Sequence, residues 1–356
     1  MLNTAAAQID LDAIRHNLQV VRMLCPASRI MAMVKADAYG HGLLQVAEVL
    51  DAADGLAAAR LTEALLLRQA GIRKRILLLA TLLDESALRL CAEQKIDVTA
   101  HDKGSVTRIA TQAKHTPLRV WLELDSGMHR AGLDPKSFIE ADQLLSTHAG
   151  VTELTHMTHF SNADEQGSAS MRNQIACFAE CRGRSSASPA SLSNSAALIS
   201  SPETHADWVR PGIMLYGVNP LGASGEVVLR PAMRVCARII SIRDIEAGET
   251  VGYNQRWTSA RPSRIAVVGI GYGDGYPRHA PNGTPVWING RFAPIVGQVS
   301  MDSLTIDLTD GPQATVGDEV VLWGEELPVS TVAKCAATIA YELFTSLTDR
   351  VDRSYH

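Results

Sequence analysis

The sequence lacks the features that direct a protein to a membrane or to nucleic acid. Its 356 residues contain no apolar run of 18 or more, and the first residues show no basic stretch followed by an apolar core. The formal net charge is -5 and no run of five basic residues occurs, whereas nucleic-acid-binding domains carry clustered Lys and Arg. We therefore expect a cytoplasmic protein that binds a small molecule, without a membrane or a nucleic acid as partner.

Paired cysteines are also absent. The six cysteines are scattered without a CxxC pair, so the sequence predicts neither a metal site nor a disulfide framework, and a reducing compartment fits best. A length of 356 residues suggests two domains. Hydrophobic residues make up 46% of the chain, which is enough for a sizeable core.

One short stretch carries an unusual lysine. The apolar run of residues 30–34 leads straight into Lys35, although a desolvated ammonium at the end of a buried strand is costly without a partner. The cost disappears if the amine is neutral or condensed with a carbonyl. Lys35 is therefore a candidate anchor for pyridoxal phosphate, and the alternative at this point is a lysine at the solvent end of a strand with no role.

Strand and helix patterns alternate over the first part of the chain. A helix is predicted from a cap at Asp10 or Asp12 up to Pro26, and another begins at Pro135. Further helices are predicted over residues 43–50, 62–70, 84–94, 103–113 and 166–181. Strands are predicted over residues 30–34, 55–59, 75–80, 96–99, 118–124, 154–160, 190–193 and 208–216. Eight alternating units favour an α/β fold with a (β/α)8 barrel of the TIM type.

The pattern changes towards the C-terminus. Residues 219–225, with one proline and two glycines, are typical of a domain boundary. Short β-branched runs follow, and Asn289-Gly290 between two of them indicates a hairpin. We predict a mostly antiparallel β domain with one helix over residues 329–347, and hence two domains, 1–222 and 223–356.

The active site of such a barrel lies at the C-terminal ends of its strands. The chemistry-bearing residues predicted there are Lys35, Tyr39, Arg130, His159, Ser195, Arg210, Gly212 and Ile213. Hydroxyls and backbone N–H groups in the last two strand ends suit a phosphate. Taken singly, each residue has an ordinary structural explanation, such as a core histidine or a surface ion pair. Their shared location favours a common site.

Seven motifs resemble those of bacterial alanine racemase. They follow the family order over nearly the whole chain: VKADAYGHG, LDSGMHRAG, MTHFSNAD, SLSNSA, WVRPGIMLYG, GYGDGYPR and VSMDSLTIDL. The resemblance implies a pyridoxal-phosphate-dependent homodimer whose active sites are each completed by the partner's β domain. It implies interconversion of L- and D-alanine, either to supply D-alanine for peptidoglycan or in D-alanine catabolism.

The resemblance also implies roles for individual residues. Lys35 would hold the cofactor as an internal aldimine, and Tyr272 would reach its other face from the second subunit. Arg210 would face the pyridine nitrogen and Arg130 would lie near the substrate carboxylate, while His159 would link an arginine to the tyrosine.

The remaining positions concern the phosphate and the substrate. The backbone N–H of Met301 would help to hold the substrate carboxylate, with Asp302 beside it. The positions that match the phosphate-binding residues of the family are Tyr39, Ser195, Gly212 and Ile213.

The chemistry of racemisation agrees with these roles. The α-proton leaves one face and a proton returns to the other, so two bases are needed, and Lys35 and Tyr272 provide them. A free tyrosine, with a pKa of about 10, is a poor base at neutral pH, and we expect positive charge from His159 and Arg210 to favour its phenolate. Because Arg210 stays protonated, it gives no proton to the ring nitrogen, which disfavours transamination.

Two positions depart from commoner members of the family. Glu123 stands where many members carry a lysine that becomes carbamylated, and we hypothesise that its carboxylate orients Arg130 directly. Asp349 occupies the position at which some members of the family carry a phosphate-binding tyrosine. Tyr341 and Tyr355 therefore receive no role from the sequence.

Three alternatives stay open. A fold-related amino-acid decarboxylase also joins a barrel to a β domain, but such enzymes use an acidic partner at the pyridine nitrogen, and Arg210 argues against that. A non-catalytic pyridoxal phosphate carrier would resemble the barrel alone, and the β domain with Tyr272 argues against it. A racemase that prefers serine or another amino acid is compatible with all the motifs.

Overall fold

The computed structural model of the protein describes residues 4–165, 167–183, 187–222, 227–311 and 313–356. Gln166 at the predicted start of one helix, and Gly225 in the predicted domain boundary, lie outside the described residues. No helix within those ranges is both long and apolar enough to cross a membrane.

The described chain begins with strand β1 (Ala5–Ile9), which lies outside the barrel. The next eight strands close into a parallel barrel in sequence order. They are β2 (Arg29–Met33), β3 (Gly55–Ala58), β4 (Arg75–Leu78), β5 (Ile96–Ala100), β6 (Leu118–Leu124), β7 (Val151–Thr158), β8 (Ala190–Ser191) and β9 (Trp208–Val209). The barrel closes where Arg29 and Ile30 of β2 pair with β9. The predicted barrel is therefore confirmed.

Helices connect the strands and cover the barrel. They are α1 (Leu11–Leu24), α2 (Lys35–Gly40, whose backbone is left-handed over residues 36–39), α3 (Leu43–Val49), α4 (Leu61–Gln69), α5 (Glu85–Glu93), α6 (Lys103–Ala113), α7 (Pro135–Ser146), α8 (Ala169–Arg182) and α9 (Ser195–Ser200). Aspartate caps begin several of them. Asp10, for example, accepts a hydrogen bond from the Ala13 N–H (2.8 Å), which satisfies a donor that the first helical turn leaves free.

The last predicted barrel strand is wrong over most of its length. Only Trp208–Val209 is strand, and a 3-10 helix, Ile213–Tyr216, follows. Pro211 between them has no N–H for a sheet, so the regular strand ends before it. This early end of the strand lets Arg210 and Gly212 lie at the end of the barrel instead of inside a strand.

The C-terminal part is mostly antiparallel β structure, as predicted. Its main sheet contains β10 (Met233–Ile245), β13 (Ser263–Val268), β14 (Pro285–Ile288), β15 (Arg291–Pro294), β16 (Leu304–Asp307), β17 (Glu319–Trp323) and β18 (Asp352–Tyr355), and β11 (Thr250–Val251) and β12 (Trp257–Thr258) form a separate two-stranded sheet. The hairpin at Asn289-Gly290 joins β14 to β15. Strand β1 pairs antiparallel with β10 and parallel with β18, so the N-terminal strand is hydrogen-bonded into the C-terminal sheet.

The single helix predicted over residues 329–347 is two helices. They are α10 (Val329–Cys335) and α11 (Ala340–Ser346). Ala337 between them has a φ of 51°, which a right-handed helix does not allow. The break lets α11 turn towards the barrel end that carries Lys35.

Candidate active site

The chain leaves β2 in a left-handed turn. Four successive residues, 36–39, have φ between 52° and 55°, and none is glycine. This conformation costs a residue with a side chain about 1–2 kcal/mol. The Ala38 N–H donates to the Val34 carbonyl across the turn (2.8 Å). Lys35 therefore directly precedes a strained segment, and contacts with neighbouring residues must stabilise the conformation of that segment.

The C-terminal part of the chain packs on this turn. The ring of Tyr39 lies 4.8 Å from that of Tyr216 and 5.8 Å from that of Tyr341, which belongs to α11. Arg353 donates through Nε to the Gly40 carbonyl (3.1 Å). Both parts of the chain therefore hold the turn in place.

The amine of Lys35 lies among cations. Burial lowers the pKa of Lys35 below its ordinary value, and the guanidinium of Arg130 lowers it further. Glu63 opposes this shift, whereas Arg210 adds to it. A lower pKa increases the neutral fraction of the amine, which is the form that attacks a carbonyl carbon.

Arg210 is buried and firmly held. Its Nη1 donates to the carbonyl (2.9 Å) and the hydroxyl (2.7 Å) of Ser191, and its Nη2 donates to the Thr158 carbonyl (2.6 Å). Nη2 also lies 3.5 Å from Nδ1 of His159. Burial lowers the pKa of Arg210 to about 10, so the guanidinium stays charged at neutral pH.

His159 follows β7 and is neutral. Burial lowers the pKa of His159 to about 3, and the charges of Arg210 and Arg130 act in the same direction. The positive charge that we expected from His159 and Arg210 together therefore resides on Arg210, and His159 offers an uncharged ring beside it.

The four predicted phosphate-binding residues come together at the ends of β2, β8 and β9. The Gly212 N–H donates to Oγ of Ser195 (2.8 Å), and Ile213 follows at the start of a 3-10 helix. A Cβ on Gly212 would lie 2.7 Å from the hydroxyl oxygen of Tyr39, which is too close for atoms that are not bonded. We call Tyr39, Ser195, Gly212 and Ile213 the anion cradle.

Tyr341 lies beside the anion cradle, although the sequence alone assigns it no role. Its ring contacts that of Tyr39, and burial raises the pKa of Tyr341 to about 12, so its phenol keeps its proton and is a hydrogen-bond donor. No local pattern connects Tyr341 with a residue so far away in the sequence. To bring Tyr341 to this site, the sequence would have had to predict the break between α10 and α11, which turns α11 towards Lys35.

Arg130 lies on a loop that Asp125 organises. Oδ1 of Asp125 accepts hydrogen bonds from the backbone N–H groups of Gly127, Met128 and His129, each at 3.0 Å. The side chain of Arg130 is exposed. It forms no hydrogen bond or ion pair with the parts of the chain that the structure describes, so its guanidinium is available to a ligand.

Glu123 is buried in β6, with 7% of its surface exposed. Its Oε2 has no hydrogen-bond partner among the described residues. Burial raises the pKa of Glu123, whereas the charges of Arg210 and Arg130 oppose the rise. The direct contact with Arg130 that we hypothesised is not formed within the described ranges, and the two side chains interact through charge at a distance.

Tyr272, Met301 and Asp302 lie on adjoining loops of the β sheet. The Tyr272 N–H donates to the Ser300 carbonyl (3.0 Å), which ties the loops together. Tyr272 is 38% exposed and Met301 52% exposed. Asp302 accepts a hydrogen bond from Arg350 (2.6 Å). These loops therefore present a phenol on the surface of the protein.

The residues at the barrel end fit pyridoxal phosphate. The anion cradle offers the hydroxyls of Tyr39 and Ser195 at a place where a larger residue than glycine would clash, and hydroxyl donors suit a bound phosphate. Lys35 offers an amine of lowered pKa to the aldehyde. Arg210 offers a guanidinium that its hydrogen bonds fix in position.

Family comparisons agree with this site. The model of "Alanine racemase, N-terminal domain" matches residues 9–220, and that of "Alanine racemase, C-terminal domain" matches residues 232–355. The alanine racemase of Yersinia pestis is 46% identical over 359 residues, which cover 99% of this chain and 99% of that protein. The chain belongs to the alanine racemase family.

Solved structures of alanine racemases have the same fold. The biosynthetic alanine racemase of Pseudomonas aeruginosa matches with a TM-score of 0.95 and 43% identity, over 99% of both chains. That of Bartonella henselae, which has covalently bound pyridoxal phosphate, matches with a TM-score of 0.92 and 31% identity, again over 99% of both chains. The fold class and the family predicted from the sequence are confirmed, and with them the class of pyridoxal-phosphate-dependent isomerases.

Replacing Gly212 by Ala tests the anion cradle. The added Cβ would meet the hydroxyl of Tyr39 at 2.7 Å, so the phenol must move, and we expect roughly ten- to hundredfold weaker binding of pyridoxal phosphate. The measurement is an absorbance titration of the apoprotein with the cofactor. The control is Gly311→Ala, whose Cβ would make an ordinary contact with Leu308 at 3.4 Å. Unchanged affinity in the Gly212 variant would contradict the assignment.

Proposed function

We propose that this chain interconverts L- and D-alanine with two bases, Lys35 and Tyr272, which two subunits supply to opposite faces of one site. The observation that carries the proposal is the meeting of Lys35, Arg210 and the anion cradle at the C-terminal end of the barrel. A Schiff-base lysine, a fixed cation and a phosphate site are the parts that amino-acid chemistry on pyridoxal phosphate needs.

Each part of the cofactor has a group to hold it. The anion cradle would hold the phosphate, with the phenol of Tyr341 beside it. Lys35 would bind the aldehyde carbon, and Arg210 would face the ring nitrogen. When bound, pyridoxal phosphate supplies an electron-withdrawing ring that acidifies the α-proton of the amino acid.

The two bases exchange protons with the substrate. One of them takes the α-proton from its face, and the other returns a proton on the opposite face, so that proton numbers balance in each turnover. The lowered pKa of Lys35, which is caused first by burial, increases the neutral fraction of its amine, which is the form that can accept a proton. Tyr272 acts in the reverse direction on the other face.

Arg210 restricts the reaction to racemisation. It keeps its charge because its pKa, although lowered by burial, stays at about 10. Its bonds to Ser191 and Thr158 hold it in place, and a guanidinium gives no proton to the ring nitrogen. An unprotonated ring withdraws less electron density, which disfavours transamination and decarboxylation.

The substrate carboxylate has its own partners. Arg130 lies on a loop braced by Asp125 and has an exposed guanidinium, which suits bidentate binding of a carboxylate. The backbone N–H of Met301, with Asp302 beside it, would come from the second subunit.

The position of Tyr272 supports a homodimer. Across the described ranges no hydrogen bond, ion pair or ring contact joins Tyr272 to Lys35, and Tyr272 is 38% exposed. One unit, residues 1–222, would hold Lys35, and the other, residues 223–356, would present Tyr272 to the second subunit. The six free cysteines support the cytoplasm as its compartment, and recovery of the protein from another compartment would contradict that assignment.

The reaction is tested with the holoenzyme and L-alanine in deuterated water. We expect optical rotation to disappear while deuterium enters the α-position, with neither pyruvate nor ethylamine formed, because a proton leaves one face and a solvent deuteron returns to the other. Formation of ethylamine would show a decarboxylase. Racemisation of serine in place of alanine would show the alternative substrate.

Mixing two inactive variants tests the shared site. Lys35→Ala removes the anchor and abolishes both directions, while Tyr272→Phe suppresses proton abstraction in one direction far more than it affects cofactor binding. In a mixed dimer one site receives both native residues, so unfolding and refolding an equal mixture should restore about a quarter of the wild-type sites by statistical pairing. No recovery would place both bases in one subunit, and full activity of Tyr272→Phe alone would remove the two-base assignment.

Glu123→Gln tests the buried carboxylate. We infer that Glu123 balances the charges of Arg210 and Arg130, so the neutral amide should weaken the orientation of both and lower kcat/KM for alanine about tenfold. Steady-state kinetics measures this effect, and Glu93→Gln, an exposed change on α5, serves as the control. Unchanged turnover and unchanged substrate binding in the Glu123 variant would rule out this role.

A further inference from the structure

The peptide that follows Lys35 bears the strain of the left-handed turn. Ala36 has a φ of 54° and opens a run of four such residues, which together cost several kcal/mol, since each costs about 1–2 kcal/mol. Such a segment persists only where its surroundings determine its conformation. The hydrogen-bond acceptor of the Ala36 N–H therefore fixes the position of Lys35.

That partner is a carboxylate from another element. Oε1 of Glu63 accepts the hydrogen bond of the Ala36 N–H at 2.7 Å. Oε2 of the same side chain accepts from the N–H groups of Ala59 (2.9 Å) and Arg60 (3.0 Å) at the start of α4. One carboxylate thus joins the end of β3 and the start of α4 to the residue after Lys35.

Helix capping explains only one of these three contacts. A glutamate in the first turn often bonds back to the N-cap N–H, and the bond from Oε2 to Arg60 does this. The hydrogen bond from the Ala36 N–H to Oε1 does not stabilise α4, because Ala36 lies in α2, the segment that follows β2. This contact stabilises the left-handed turn.

We propose that Glu63 is a positioning residue for Lys35, whose carboxylate fixes the strained peptide after the lysine and so keeps the amine at the barrel end. The proposal rests on the proposed function only in taking Lys35 as the cofactor anchor. Three backbone N–H donors meet two oxygens, so the site accepts a carboxylate alone. An amide would turn its NH2 group towards one of these donors.

The charge of Glu63 also matters for the amine. The charged groups that act on Lys35 are Arg130, Arg210 and Glu63. Lys35 in turn acts on His159, which is neutral. Burial and Arg130 lower the pKa of Lys35, whereas Glu63 raises it. Loss of this charge therefore lowers the pKa of the lysine nitrogen further, and a shorter carboxylate would keep the charge while losing the contact with Ala36.

Two variants separate contact from charge. Glu63→Gln should lower kcat about tenfold at little change in KM, because a misplaced base harms proton transfer more than substrate binding. It should also shift the pH midpoint of the visible absorbance of the lysine-bound cofactor downwards by about half a unit or more. Glu63→Asp should lose kcat to a similar extent while its midpoint stays near that of the wild type.

The control is Asp84→Asn. Asp84 caps α5 by accepting from the Ala87 N–H at 2.8 Å, so this change also replaces a carboxylate by an amide at the start of a barrel helix, away from the turn. We expect it to leave kcat and the absorbance midpoint unchanged. Wild-type kcat and midpoint in Glu63→Gln would overturn the proposal, and so would an equal loss of kcat in the Asp84 variant. If Glu63→Gln does not fold, the kcat of Glu63→Asp decides.

The absorbance measurement keeps this test apart from that of the function. If the wild-type protein forms the lysine-bound absorbance but does not racemise alanine, the proposed function fails. In that case the midpoints of the wild type and Glu63→Gln still decide the role of Glu63. If no lysine-bound absorbance forms in the wild type, Lys35 is not the anchor and both proposals fail.

Discussion

Repulsion between like charges governs the end of the barrel. Lys35, Arg130 and Arg210 all act on one another there, and burial, which lowers the pKa of Lys35 and of Arg210, removes much of the screening by water. Like charges repel one another more strongly in such surroundings than in water. Within the chain the compensation comes from Glu63 and Glu123, and a dianionic phosphate with a substrate carboxylate would complete it. The site therefore gains most from anionic ligands.

The opposite end of the same barrel shows the contrasting solution. Asp97 is fully buried and accepts hydrogen bonds from Nε of Arg75 (2.7 Å) and Nε of Arg119 (2.6 Å), and Trp121 adds a third (3.1 Å). Oε1 of Glu153 forms an ion pair with Nη1 of Arg75 (2.8 Å). These cations are neutralised by fixed carboxylates, as a structural cluster requires. Among the described residues no carboxylate forms an ion pair with Lys35, Arg130 or Arg210 at the C-terminal end, which separates the functional end of the barrel from its base.

Much of the fold could be predicted because long periodic segments leave little choice. The helix Lys103–Ala113 and the strand Leu118–Leu124 lie where the pattern places them. The failures have local physical causes. Residues 208–216 have the composition of a strand, but Pro211 interrupts it. Strand β1 has the sequence AAAQI, and alanine is a poor strand former, so its pairing with β10 depends on tertiary contacts.

The residues of the site also divide into those that the sequence could predict and those that it could not. Arg210 and Ser195 could be found because a barrel gathers the ends of its strands, whichever residues stand there. Tyr341 and Glu63 could not, because each acts on the Lys35 turn from a distant part of the chain. The turn itself has four left-handed residues without a glycine, so local preference argues against the conformation that occurs. Strain of this kind persists where function requires it and neighbouring contacts sustain it. The residue that ties down the strained peptide, Glu63, is therefore as much a part of the site as the lysine that it holds.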